Sequence, residues 1–178
     1  MQINDGTGAC YGAKVDSENR LYTFSVTEAE YSHAAHNGDA YIWTATADWG
    51  ADKNALFLRN DSTTQTLAIR GIAVSPAAAC QVELGAGSGN TVAGTAVTGM
   101  NWLIGSGKVA LATGRHTNTN CDASAGLTIF HTFWAAVLNN IVPLDCALRL
   151  TYLNEIGVNL ITDVGSSTVS IFGCYIDD

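Results

Sequence analysis

The strongest constraint on this chain is a change of rhythm at Gly38. Beyond it, apolar residues recur at every second position in short runs, beginning with Ala40-Tyr-Ile-Trp-Thr-Ala-Thr46 and Asn54-Ala-Leu-Phe-Leu-Arg-Asn60. Period two marks strands that bury one face. In Thr66–Arg70, Leu67 and Ile69 share one side and Ala68 and Arg70 the other, because successive side chains of a strand point to opposite faces. The intervening Asn60-Asp-Ser-Thr-Thr64 is turn chemistry, so these two runs are predicted to form a hairpin. In Ala147–Leu153 the same alternation directs Leu148, Leu150 and Tyr152 inward and Arg149 and Thr151 outward, as a half-buried antiparallel strand requires. Further strands are expected near 79–84, 91–97, 102–103, 108–113, 127–138, 158–163 and 168–176.

Many short strands separated by Gly, Asn and Ser turns, with almost no helix between them, predict an all-β fold: a jelly-roll-like antiparallel β-sandwich. Before Gly38 the chain differs. Met1 to about Thr27 is rich in Gly and polar groups without periodicity, and reads as an extended N-terminal arm. Thr27-Glu-Ala-Glu30 has capping-box spacing, Ala29, Ala34 and Ala35 follow, and Asn37-Gly38 is a helix stop, so one short helix is expected there. The division is therefore arm plus helix over 1–38 and sandwich over 39–178; 178 residues suffice for one full hydrophobic core.

Charge narrows the function classes. Eight Lys and Arg against sixteen Asp and Glu give a net charge of −8, and the basic residues are scattered singly, so no stripe exists to neutralise phosphates or anionic lipid; nucleic acid and membrane are excluded as partners. Only 13% of residues are charged while 47% are apolar, against about 25% charged in an ordinary soluble domain. A surface of Ala, Thr, Ser, Asn and Gly is cheap to desolvate, which predicts self-assembly, since interface cores are depleted in charge. Five widely spaced cysteines (Cys10, Cys80, Cys121, Cys146, Cys174) form no Cys-x-x-Cys pair and cannot all pair, so they are expected as buried thiols of a chain folded in a reducing cytoplasm. The stretch Met1–Gly8 lacks the basic and apolar regions of a signal peptide.

Catalytic patterns fail on spacing. Gly105-Ser-Gly-Lys108 has Trp102 where a phosphate loop needs Gly and Val109 where it needs Ser or Thr. Gly85, Gly87 and Gly89 lie between strands, not ahead of a helix, and read as a loop tip. His33 and His36 stand one helical turn apart but lack evident further ligands. Asn118–Asp122 has Ala123 in place of the Gly of a calcium loop. Asn60-Asp-Ser62 is a glycosylation acceptor in form only and is read as a turn. No catalytic residue, metal or cofactor is assigned. Of the four tryptophans, Trp43 and Trp134 fall within predicted strands and are assigned to packing, whereas Trp49 and Trp102 lie in Gly-rich surroundings as candidate exposed platforms for a glycan or a subunit.

The segments Gly6–Gly8, Ala13–Asp16, Asn19–Leu21, Ser25–Glu28 and His33–Ala35, followed by Gly38-Asp-Ala-Tyr41, Leu56–Asn60 and Ile69–Ile72, resemble a group of tailed-bacteriophage virion structural proteins over roughly the first 72 residues. The resemblance implies a non-enzymatic capsid decoration, or cement, protein with a jelly-roll core, a homotrimer assembled in the host cytoplasm onto the phage head, whose arm docks on the major capsid protein. On that reading Lys14 and Arg20 would pair with capsid carboxylates and Tyr11, Leu21 and Tyr22 would anchor the arm. The alternative it leaves open is a tail-associated or receptor-binding virion module in which Trp49 or Trp102 stacks on host glycans.

Overall fold

A computed structural model describes residues 30–48, 53–86, 94–116, 128–135, 140–161 and 165–177. The expected arm lies outside them. The chain enters with α1 (Glu30–Asn37), and Gly38 ends the helix at φ 75°, a left-handed conformation that costs glycine nothing. The N–H groups of Gly38 and Asp39 donate back to Ala35 and Ala34 O at 3.2 and 2.7 Å, the paired closure of a Schellman motif.

Among the described residues eleven strands follow: β1 (Ala40–Asp48), β2 (Lys53–Asn60), β3 (Gln65–Ser75), β4 (Cys80–Ala86), β5 (Thr95–Val97), β6 (Met100–Asn101), β7 (Ala112–His116), β8 (Thr128–Ala135), β9 (Asn140–Leu150), β10 (Glu155–Leu160) and β11 (Ser166–Asp177). One sheet runs β6-β1-β11-β3-β9 and the other β5-β7-β2-β10-β4-β8; every pairing is antiparallel. With β5, β6 and β7 set aside, β1-β11-β3-β9 faces β2-β10-β4-β8, the doubly wound Greek-key order of a jelly roll. The core between the sheets contains Trp43, Leu56, Leu58, Leu67, Ile69, Ile72, Ile156, Val158 and Ile171. Trp43 is packed as expected, and Leu67 and Ile69 do share the inner face.

Several sequence readings are corrected. The runs around 54–60 and 66–70 are not a hairpin: β2 pairs with β10 and β7, whereas β3 pairs with β11 and β9, so residues 61–64 carry the chain from one sheet to the other. Asn60 holds this corner, its Nδ2 donating to Gln65 O at 2.9 Å and to Leu150 O at 2.8 Å while its Oδ1 accepts from Ser62 N at 3.0 Å. Strand β9 stops at Leu150, with Leu148 and Leu150 against the core; Tyr152 is exposed, not inward, because the chain turns through Leu153 at φ 62°. Trp102 and Leu103 are not a strand, and the 108–113 run becomes one only at Ala112. All six residues of β10 are buried, so its two faces do not separate core from solvent.

Candidate interaction surface

The three extra strands lie on one side of the sandwich. β6 extends one sheet beyond β1 and β5-β7 extends the other beyond β2, so segment 94–116 passes between the two sheet edges and closes that side. Its inner surface rests on Trp43. A Cβ on Gly99 would lie 2.6 Å from Trp43 Nε1 and 2.7 Å from the Ala110 Cβ, and one on Gly114 would lie 2.6 Å from Val97 O and 3.0 Å from Trp43 Cδ1. Real Cβ atoms do not approach so closely, so glycine at these two positions lets the flap close over the indole.

The outer loop of the flap is tied to the end of α1 and the start of β1. Asn101 Nδ2 donates to Gly38 O at 2.6 Å, its Oδ1 accepts from Leu103 N at 2.8 Å, and Trp102 N donates to Ala40 O at 2.9 Å. Lys108 Nζ reaches Asp39 Oδ1 at 2.8 Å. Below this ion pair a cleft of about 510 Å³ is lined by Tyr41, Gln65, Val109, Leu111 and Tyr175, among others. Burial pushes both phenols upward, Tyr175 strongly; for Tyr41 the hydrogen bond with Asn101 opposes the shift.

Backbone anchoring leaves the apolar side chains of this loop outside. Six of the nine large apolar side chains exposed among the described residues lie between Met100 and Leu111, with Met100 at 70%, Val109 at 75% and Ile104 at 96% exposure. Trp102 is half exposed and tilted at 57° to Phe172, ring centroids 6.4 Å apart. The ring forms one wall of a trough of about 250 Å³ on the outer face of the β1-containing sheet, whose other residues are Arg70, Gly71, Phe172, Ile141 and Pro143. At the trough, pairing shifts register beside Gly71 in both directions, between Ile69 and Gly71 against β9 and between Phe172 and Gly173 against β11. Gly71 lacks the Cβ that would lie 2.8 Å from Val142 O. Elsewhere on this face α1 covers Ala40, Ala68 and Cys174, and hydroxyl pairs Thr44–Ser170 and Thr46–Thr168, each at 2.8 Å, line the β1–β11 seam.

Of the residues singled out from sequence, Trp102 lies on this surface and is exposed. Tyr11, Lys14, Arg20, Leu21, Tyr22 and Trp49 lie outside the described residues, as does the Asn118–Asp122 loop; Trp134 pairs with Gln81 in β8. His33 and His36 are exposed on α1, and His33 Nε2 accepts from Asn37 Nδ2 at 3.0 Å. Among the described residues no three His, Cys, Asp or Glu side chains converge. Gly105 and Gly107 sit in turns at φ 88° and 72°. The exposed Met100, Ile104, Val109 and Ile141 were not singled out from sequence. The available signal was Gly99, Gly105 and Gly107, which interrupt alternation and place neighbouring apolar residues in turns.

Comparison with known families, curated proteins and solved structures gives no match.

Proposed function

We propose that this chain is a virion structural protein, a decoration or cement protein that binds the outside of a phage head, self-associates as a trimer and stabilises the shell. The observation that carries the reading is the flap: a closed jelly roll that spends a whole excursion, 94–116, on presenting Met100, Trp102, Leu103, Ile104, Val109 and Leu111 to solvent. Contiguous apolar surface beyond a few hundred Å² marks an interaction site, and the low charge of the chain lowers the cost of covering it. The glycan reading of Trp102 fits less well, because a sugar needs several hydrogen-bonding groups and the trough beside Trp102 offers one polar side chain, Arg70.

The major capsid protein is the proposed shell partner, with residues 1–27 as the docking arm through Tyr11, Lys14, Arg20, Leu21 and Tyr22. Deleting residues 1–27 is expected to abolish co-sedimentation with undecorated heads while the sandwich retains a cooperative melt. Saturation of heads with unchanged affinity would move docking to the sandwich and overturn the division of labour.

A further inference from the structure

We infer that the cleft below the Asp39–Lys108 ion pair binds a neutral saccharide through one pyranose ring. The site is separate from the Trp102 trough and does not depend on the decoration reading. It opens at the end of the sandwich where β1 and β3 start and β11 finishes. Tyr41 and Tyr175 stand there on adjacent strands, their rings edge to face with centroids 5.6 Å apart. Gln65 begins β3, and Val109 and Leu111 of the flap complete the lining. The volume, about 510 Å³, lies within the range of small-molecule sites.

Charge decides against an ionic ligand. Lys108 and Asp39 neutralise each other at 2.8 Å, so the lining offers neither an anion nor a cation an uncompensated countercharge. The polar groups decide against an apolar ligand. The Tyr175 hydroxyl is buried and, although the Leu111 and Ala112 amides approach it, closes no hydrogen bond, whereas buried hydroxyls are ordinarily paired. The Tyr41 hydroxyl, by contrast, is taken by Asn101. With Oδ1 on Lys108, Asp39 retains Oδ2 as an acceptor; the ammonium carries three N–H donors and the Gln65 amide both donates and accepts. Such a set calls for a ligand that donates and accepts at several points. Val109 and Leu111, 75% and 46% exposed, call for an apolar face. A pyranose has both, with hydroxyls around its edge and C–H groups on its faces. A flat aromatic ligand fits poorly, since both phenol rings are buried in the core and present no open face for stacking.

The test is titration of the full chain, by saturation-transfer NMR and calorimetry, with the methyl glycosides of glucose, galactose, mannose and N-acetylglucosamine. An array of immobilised oligosaccharides, run alongside, separates a free sugar from a surface glycan. At least one neutral probe is expected to bind saturably in one arm or the other, with an affinity indifferent to added salt. Tyr175→Phe, which removes the hydroxyl alone, is expected to weaken binding about fivefold, and Asp39→Ala about tenfold or more, each with an unchanged far-UV spectrum; Trp102→Ala is expected to leave it unaltered. Binding in neither arm overturns the inference. So does binding that both cleft variants retain in full, that is lost with Trp102→Ala alone, or that prefers N-acetylneuraminic acid or inorganic phosphate to the neutral probes. Head binding is scored separately and bears on the decoration reading alone.

Discussion

Gly99 stands so close to Trp43 that a methyl group on its Cα would lie 2.6 Å from the indole nitrogen. Trp43 is fully buried and its Nε1 meets no acceptor, so what fixes the ring is packing, and the flap's position depends on how closely backbone can approach it.

Gly99→Ala is therefore expected to destabilise by about 1–3 kcal/mol, the usual cost of overpacking, lowering Tm by roughly 3–10 °C in a chain of this length. Thermal melts check this. In a Trp43→Leu background the same change should cost less, because the group it collides with has gone; additive effects would show that the contact does not govern the site.

Asn60→Ala is expected to cost roughly 2–4 kcal/mol, since it leaves the buried Leu150 carbonyl and the Ser62 amide without their present partners. Urea unfolding measures the loss. The Asn60 amide is buried and already donates both ways, so a glycan cannot be attached to it in the folded chain.

Stability is expected to fall in alkali. Burial raises the Cys80 thiol above 9.0 and the Tyr41 and Tyr175 phenols above 10.0. The unfolded chain then loses these protons first, so the stabilisation is complete below the ordinary values and is lost as pH climbs past them. Tm measured against pH should decline from about pH 9 upward, and Tyr175→Phe should make the decline shallower.

Cys80 and Cys174 are fully buried thiols, neither in a disulfide. A thiol reagent should modify them only at the rate of unfolding, and rapid labelling of either in native protein would show that its strand opens locally.

Strands, helix and core candidates were legible in the sequence because their signals act over a few residues. Alternation in 40–46 placed Trp43 inside, and Asn37-Gly38 ended α1 where the Schellman bonds close. Sheet membership was not legible. The polar turn 60–64 reads the same whether the chain folds back beside itself or crosses to the opposite sheet, and the crossing is held by a bond from Asn60 to Leu150, ninety residues away. The candidate surface was hidden for the same reason. Val109 falls in a run read as a strand and Ile104 in the gap before it, and only the tertiary fold, by bringing β6 beside β1 and β7 beside β2 and spending Trp43 on the gap between them, leaves these side chains facing solvent, because the flap's inner face is already filled.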